Sequence, residues 1–271
     1  MLRSMYSSIG AMRNFQTKLD VIGNNIANVN TYGFKKGRTI FKDLMSQMIS
    51  GAGGPNAGRG GTNPKQVGLG SQLAAIDTVH AQGSLQTTGR VLDLAISGDG
   101  FFVVGDAVGN NRMVGNNRMY TRAGNFYLDS KGYIVNADGQ YLLGVGNSLL
   151  QVPPDAKSLS IGADGKVNIV DALGNLHPIG TIQLAKFSNN DGLEKAGNNL
   201  FRETINSGAP TAGAPGENGT GTIVSGALEM SNVDLAEEFT EMIVAQRGFQ
   251  ANTRIITTSD EILQELVNLK K

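Results

Sequence analysis

Residues 231–271 have the sequence SNVDLAEEFTEMIVAQRGFQANTRIITTSDEILQELVNLKK, in which an apolar side chain recurs every seven residues. The repeated residues are Leu235, Met242, Phe249, Ile256 and Leu263. This spacing places them on one face of a helix, as a seam that a second helix can cover. Residues 231–234 have the spacing of a capping box, and Glu237 and Glu238 follow in the first turn, where the helix dipole favours acidic groups. We therefore predict a long C-terminal helix that needs a partner.

The N-terminal segment carries the second amphipathic pattern, with apolar residues at steps of three and four. Residues 1–50 hold seven basic and two acidic side chains, a net charge of +5, whereas residues 226–271 hold four basic and eight acidic ones, a net charge of −4. Opposite charges favour pairing of the two ends, within one chain or between chains. The alternative is that each segment is an ordinary surface helix of a globular core. Pairing predicts an assembly seam of eight residues: Leu19, Ile22, Ile26, Leu235, Met242, Phe249, Ile256 and Leu263.

The composition argues against several classes of function. The 271 residues carry 23 basic and 23 acidic side chains, so the net charge of zero gives no electrostatic reason to expect a nucleic-acid partner. The chain has no cysteine, which removes disulfides, thiolate metal sites and a cysteine nucleophile. The first residues lead into polar side chains, and no run approaches about 18 apolar residues, so neither a cleaved secretory signal nor a membrane span is expected.

The middle of the chain alternates short apolar runs with turn signals such as Asp138-Gly139 and Asp164-Gly165. The runs predict strands at residues 93–96, 101–104, 126–128, 133–135, 167–170 and 181–187. We predict four parts: an N-terminal helical arm at 1–50, a glycine-rich linker at 51–70, a β domain at 71–226, and a C-terminal helical arm at 227–271 that pairs with the first. The predicted fold class is α+β, with long terminal amphipathic helices paired as a coiled-coil-like domain and an inserted, mainly antiparallel β domain.

The sequence has no pattern of residues that indicates an active site. The aspartates of the middle region stand at turns, where local hydrogen bonding explains them better than catalysis. His80 and His177 are the two histidines, and neither has a second ligand type at metal spacing. We therefore predict no catalytic, cofactor-binding or metal-binding residue, no cofactor and no enzymatic activity. Four asparagines near the end of the first helix either fray that end or form hydrogen bonds between chains: Asn24, Asn25, Asn28 and Asn30.

Several motifs resemble a known family. They are LDVIGNNIANVNTYGFK at residues 19–35, SNVDL at 231–235, VAQR at 244–247 and LVNL at 266–269, with GFFVV at 100–104 and YTRAGNF at 120–126 in the middle. Together they span nearly the whole chain. They resemble the bacterial flagellar axial proteins of the rod and hook.

The resemblance implies a structural subunit that assembles into the tubular axial structure of the flagellum, with its terminal helices inside the tube and its β domain outside. Residues 242–247 and 266–269 favour the hook, so we predict a short hook protein. The single modest β domain favours the alternative, the distal rod. The implied partners are further copies in a helical tube, neighbouring axial proteins of the rod, hook and hook–filament junction, the hook cap and the type III export apparatus. The implied location is the basal body or hook, outside the cytoplasm after export without a cleaved signal. A carbohydrate-binding or enzymatic β domain with helical appendages is a remote alternative.

Overall fold

A computed structural model describes residues 2–55, 58, 60–106, 118–172 and 174–269. Parts of the predicted linker, at 56, 57 and 59, and of the predicted β domain, at 107–117 and 173, lie outside this range, as do residues 1, 270 and 271. The chain divides into two compact units. The helical unit comprises residues 1–27, 37–78 and 234–271, and the β unit comprises residues 28–36 and 79–233.

The helical unit contains the two long helices and two strand pairs. Its elements are α1 (Leu2–Ala27), β1 (Gly37–Asp43), β2 (Ser46–Ser50), β3 (Lys65–Gly68), β4 (Ser71–Thr78) and α2 (Leu235–Asn268). Strand β1 pairs antiparallel with β4, from Gly37 opposite Thr78 to Asp43 opposite Ser71. Strand β2 pairs antiparallel with β3.

The start of α2 follows from its capping residue. The Asp234 carboxylate accepts hydrogen bonds from the backbone N–H groups of Ala236 at 2.8 Å and Glu237 at 3.4 Å. These two donors have no partner inside the helix, so the cap satisfies them. The predicted C-terminal helix is confirmed, but it begins at Leu235 with Asp234 as its N-cap, so residues 231–234 precede the helix and do not form a capping box in its first turn. Helix α1 ends at Ala27, and Gly33, which follows it, adopts a φ of 69°.

The structure adds strands where the sequence predicted only a helical arm and a linker. Strands β1 and β2 lie within the predicted arm at 1–50, and β3 lies within the predicted linker at 51–70. Exposure alternates along most of β1, as expected for a strand with one covered face. The backbone partner of β1 is β4, and the intervening segment contains the glycine-rich stretch. No local sequence pattern shows such a distant pairing.

The β unit consists of short strands in antiparallel sheets. They are β5 (Leu85–Thr87), β6 (Leu94–Ser97), β7 (Phe101–Gly105), β8 (Arg118–Thr121), β9 (Tyr127–Leu128), β10 (Ile134–Val135), β11 (Tyr141–Gly144), β12 (Ser148–Leu149), β13 (Ser158–Ile161), β14 (Lys166–Val170), β15 (Leu176–Thr181), β16 (Leu184–Lys186), β17 (Glu194–Gly197), β18 (Leu200–Arg202), β19 (Thr211–Gly213), β20 (Thr222–Ser225) and β21 (Ala227–Glu229), with a short 3-10 turn at Asn190–Gly192. The main sheet has the order β17-β18-β8-β7-β11-β10-β9, and β12, β16 and β19 join it at the side. Strands β13, β14 and β15 form a second sheet, and β20 with β6 and β21 with β5 form two-stranded ones.

The core of the β unit lies on both faces of β7, whose five residues are all buried. Phe102 and Val104 pack into one apolar cluster, whereas Phe101 and Val103 pack into another. Alternate side chains of a strand point to opposite faces, so β7 separates two buried layers. The predicted strand at 101–104 is confirmed. The predicted strand at 181–187 is instead split, because Ile182 lies between β15 and β16 and bridges to Gly144.

The described chain is thus α+β with antiparallel sheets, as predicted at the level of class. A coiled-coil geometry for the helix pair stays a prediction. The four-part division also stays a prediction, since the two compact units group the chain differently.

Candidate functional site

Within the helical unit, α1 and α2 lie side by side in antiparallel directions. Lys18 forms an ion pair with Glu241, and farther along the pair the Oγ1 atom of Thr253 lies 3.5 Å from the Sδ atom of Met12. Residue numbers therefore rise along one helix as they fall along the other. The Lys18–Glu241 contact joins a basic N-terminal segment to an acidic C-terminal one, although an ion pair this exposed stabilises by only about 0.2–1 kcal/mol.

A buried polar contact connects the end of α1 to α2. Asn25 is 1% exposed and Glu238 is 5% exposed, and the Asn25 amide donates to Glu238 Oε2 at 3.1 Å. The same side chain donates to the Gly37 carbonyl and accepts from the Gly37 N–H, both at 2.9 Å. Asn25 therefore binds α1 to the first residue of β1 as well as to α2. No sequence pattern distinguishes Asn25 from the three asparagines near it.

The face of α2 with the least exposure is lined by small and polar side chains. Ala245 is 0%, Glu238 5% and Ser259 7% exposed. The partly exposed residues of the same face are Met242, Gly248, Asn252, Ile256 and Leu263. These positions follow steps of three and four residues, so they form one inner face. A Cβ atom at Gly248 would lie 2.6 Å from the Phe15 ring, which places α1 directly against this face.

The eight residues of the predicted seam differ in how far they are exposed. Ile22 is buried, and five others are partly buried: Leu19, Ile26, Met242, Ile256 and Leu263. Leu235 and Phe249 are exposed, at 40% and 36%. A seven-residue repeat drifts by about 20° per repeat around a helix of 3.6 residues per turn. This drift places Leu235, the first member of the repeat, beside the inner face rather than on it, and the role of the seam in assembly stays a prediction.

The rest of α2 exposes an unusual number of apolar side chains. Those at least 36% exposed are Leu235, Phe239, Ile243, Val244, Phe249, Ile255, Ile262, Leu266, Val267 and Leu269. Helix α1 adds Tyr6 at 74% and Ile9 at 37%. Exposed apolar side chains in this number are typical of a protein whose surface another molecule covers. We name these twelve residues the outer apolar surface.

Gly248 and Gly23 offer a matched pair of helix substitutions. A Cβ atom at Gly248 would lie 2.6 Å from the ring of Phe15, whereas no neighbouring heavy atom lies within 4 Å of a Cβ at Gly23. Alanine gains about 1 kcal/mol of helix propensity over glycine, so Gly23→Ala is expected to stabilise the helical unit by up to that amount. Gly248→Ala is expected to destabilise it by about 1–3 kcal/mol through overpacking. Thermal unfolding followed by circular dichroism compares them, and equal stabilisation by both would contradict close packing at Gly248.

The β unit contains a buried ion cluster that the sequence analysis did not identify. The Glu229 carboxylate has no exposed surface and accepts hydrogen bonds from Lys35 Nζ at 2.5 Å, the Gly83 N–H at 2.9 Å and Arg122 Nη1 at 3.2 Å. Burial lowers the pKa of both Lys35 and Arg122, and the neighbouring Glu229 carboxylate opposes that shift. Lys35 and Arg122 lie 194 and 107 residues from Glu229 in the chain. Only the folded structure reveals such a cluster.

His80 in the β unit packs against Phe101 and Phe201, with ring centroids 5.7 and 5.6 Å apart. Burial lowers the pKa of His80 from 6.5 to about 4, Asp191 opposes the shift, and the cations Lys35, Arg122 and Lys195 add to it. The unfolded chain then binds a proton that the folded chain does not. Stability is therefore complete above pH 6.5 and lost as the pH falls toward 4.

We expect the β unit to lose up to about 3 kcal/mol of unfolding free energy over this range, at about 1.4 kcal/mol per pK unit. Urea unfolding at a series of pH values between about 6.5 and 5, above the range of ordinary carboxylates, measures it. His80→Leu is expected to flatten this dependence. The control His177→Gln, at an exposed histidine, should leave it unchanged. If the unfolding free energy of His80→Leu falls with pH as steeply as that of the unmodified chain, His80 is not the source of the pH dependence.

Within the described residues, no group of three or more histidine, aspartate or glutamate side chains is placed to hold a metal ion. None of the described helices has a segment long and apolar enough to span a membrane. The most distinctive surface is the outer apolar surface of an antiparallel helix pair. This geometry is the one expected of a structural protein whose terminal helices are covered by another molecule.

Comparison with known proteins agrees with this class. Three family models match: "Flagella basal body rod protein" at residues 5–35, "Flagellar hook protein FlgE/F/G D1 domain" at 95–169 and "Flagellar basal body rod FlgEFG protein C-terminal" at 224–269. The flagellar basal-body rod protein FlgG of Bacillus subtilis is 59% identical over 272 residues, covering all of both chains. FlgG of Buchnera aphidicola from Acyrthosiphon pisum is 38% identical over 273 residues, covering 99% of this chain and all of the relative. The flagellar hook protein FlgE of Borreliella burgdorferi is 32% identical over 449 residues, covering all of both.

The chain belongs to the family of flagellar rod and hook axial proteins. The predicted resemblance is confirmed. The chain is a structural protein of the flagellar axis, and its family forms axial structures together with other axial proteins. The matched families and these relatives are named as flagellar rod and hook proteins, so they lend no support to the remote alternative of an enzyme or carbohydrate-binding domain.

Proposed function

We propose that the chain is a subunit of the distal rod of the flagellar basal body, where its copies assemble into a helical tube. The observation that carries this proposal is the 59% identity to a rod protein over the full length of both chains. The hook protein of Borreliella burgdorferi instead aligns over 449 residues, far more than the 271 of this chain. Long stretches of that hook protein therefore have no counterpart here.

The comparisons with known proteins support the alternative, the distal rod, better than they support the hook. The preference for the hook came from residues 242–247 and 266–269. Both segments lie inside residues 224–269, which match a C-terminal model described for FlgE, FlgF and FlgG together. A segment common to several axial proteins cannot distinguish one from another, so the full-length identity has more weight.

The outer apolar surface supports the assembly part of the proposal. Nine of its residues lie on α2, Leu269 directly follows α2, and two lie on α1. The inner face already holds the two helices together within one chain. We propose that neighbouring copies cover the outer surface in the tube and that the paired helices form its inner wall. At its ends the tube would contact neighbouring rod and hook proteins. Export through the type III apparatus without a cleaved signal belongs to the same proposal, whereas the hook cap and the hook–filament junction belonged to the hook interpretation.

Fractionation of purified hook–basal bodies tests the choice of the rod. Hooks are detached from basal bodies, and the amount of the unmodified chain in each fraction is measured by quantitative mass spectrometry. The proposal expects the chain in the basal-body fraction and not along the hooks. The hook protein of the same bacterium serves as the internal control, because it must follow the detached hooks. Co-purification of the chain with detached hooks in amounts similar to the hook protein would contradict the proposal.

A further inference from the structure

The ion cluster at Glu229 draws together parts of the β unit that are far apart in the chain. Lys35 belongs to residues 28–36, which follow α1, and Arg122 follows β8. Glu229 is the last residue of β21 and precedes α2 by a few residues. Glu229 stands where the chain leaves the β unit, and its carboxylate contacts Lys35, which stands where the chain enters that unit.

The charges in the cluster are unequal. Two cations, Lys35 and Arg122, are buried with one anion, Glu229, and none of the three side chains is more than 4% exposed. Lys35 Nζ also donates to the Ala81 carbonyl at 2.9 Å and Arg122 Nη2 to the Gly98 carbonyl at 2.8 Å, whereas Arg122 Nε is buried with no hydrogen-bond partner. Without the Glu229 carboxylate, the two like charges would be buried with no buried counter-charge, since Asp99, the other carboxylate that acts on Arg122, is exposed, and this is strongly unfavourable. The cations precede the anion in the chain, so Glu229 is the last member of the cluster to be synthesised.

Backbone contacts join the same two segments. The Gly33 N–H donates to the Glu229 carbonyl at 2.8 Å. Asn232 accepts from the Lys36 N–H at 2.8 Å, and its amide donates to the carbonyls of Val79 at 2.8 Å and Ala81 at 3.2 Å. Residues 28–36 are thus held to the β unit by residues 229–232, the segment that also carries the counter-charge, and by contacts to Val79, Ala81, Lys195 and Asn199.

We propose that Glu229 is a latch that makes the ordering of residues 28–36 depend on the ordering of residues 229–232. Until Glu229 is in place, Lys35 and Arg122 repel each other in the site that they must share, and the entry segment stays undocked. Once Glu229 is in place, the entry and exit segments are fixed together. This coupling between residues 28–36 and 229–232 goes beyond the proposed function. It would be the same in a rod subunit and in a hook subunit, and it involves one copy of the chain.

Hydrogen exchange of the full-length chain, followed by mass spectrometry, tests the latch. Glu229→Gln keeps the shape and removes the charge. We expect exchange to accelerate about a hundredfold or more in residues 28–36, as well as in 229–232, while β7 remains protected. Adding Lys35→Met to Glu229→Gln removes one of the two unbalanced cations, so we expect protection of residues 229–232 to recover at least tenfold. Glu217→Gln, at an exposed carboxylate of the same unit, is the matched control and should change nothing.

Two outcomes would overturn the proposal. One is that Glu229→Gln accelerates exchange only in residues 229–232 and leaves 28–36 as in the unmodified chain. The other is that the double variant shows no recovery, since the charge imbalance would then not be the cause. If Glu229→Gln does not fold, the single variant Lys35→Met decides instead. Lys35→Met keeps Arg122 paired with Glu229, so the charges stay balanced. The proposal then expects faster hydrogen exchange in residues 28–36, while β7 and β8 stay protected. Unchanged exchange in residues 28–36 would contradict the proposal.

Discussion

Ile256→Asp is expected to separate α1 from α2 and to abolish incorporation of the chain into the axial structure. Ile256 lies on the inner face of α2 one turn from Ser259, which is 7% exposed. A carboxylate there loses the apolar packing and is partly removed from water, at a cost of roughly 2–4 kcal/mol. The β unit has its own core and should remain folded. Circular dichroism measures the loss of helix, and mass spectrometry of purified basal bodies measures incorporation.

The adjacent residue supplies the matched control for this prediction. Ile255 is 45% exposed and belongs to the outer apolar surface. Ile255→Asp makes the same chemical change one position away, so the helix pair should keep its stability within about 0.5 kcal/mol. If copies contact one another through the outer surface, this variant folds normally and still fails to assemble. Normal incorporation of Ile255→Asp would show that this part of the outer surface is not an assembly contact. Normal incorporation of Ile256→Asp would show that assembly does not need the helix pair.

Asn25→Leu has the second large expected effect. The substitution leaves the buried Glu238 carboxylate without its amide donor and removes both hydrogen bonds to Gly37. Leaving a buried group without its hydrogen-bond partner typically costs about 1–3 kcal/mol, and more when the group is charged, as Glu238 is. We therefore expect the helical unit of Asn25→Leu to unfold at much lower urea concentration than that of the unmodified chain, with the near-UV signal of the β unit retained.

Asn24→Leu is the control, because Asn24 is exposed and lies next to Asn25 in the same helix. It should change the unfolding free energy by no more than about 0.5 kcal/mol. The double variant Asn25→Leu/Glu238→Leu removes both members of the buried pair, so it is expected to regain much of the lost stability. Equal stability of Asn24→Leu and Asn25→Leu would refute the role given to the buried contact.

Local patterns predicted the features of the fold that are local in the chain. The long C-terminal helix and the strand at 101–104 each depend on neighbouring residues, and the structure has both. The pairing of β1 with β4 was missed because its strands are separated by the glycine-rich stretch. A single strand without its partner has no distinctive pattern there.

The candidate site was predictable in outline and not in detail. The seven-residue repeat predicted the long helix α2, but two of its members, Leu235 and Phe249, are exposed. The inner face depends on Ala245, Gly248 and Ser259, whose small side chains give no hydrophobic signal. Asn25, Lys35 and Glu229 are polar residues whose importance comes from burial, and burial is decided by contacts across the whole fold.

We propose that copies of this chain contact one another in the axial structure through the outer apolar surface of their terminal helices. A photoreactive amino acid at Ile243, which is 52% exposed on that surface, tests this contact. Illumination of purified basal bodies, followed by mass spectrometry of the crosslinked products, identifies the molecule that covers this position. The account predicts crosslinks to a second copy of the chain in assembled basal bodies and none in dilute monomer. Crosslinks only to an unrelated protein, or none in the assembled structure, would contradict it.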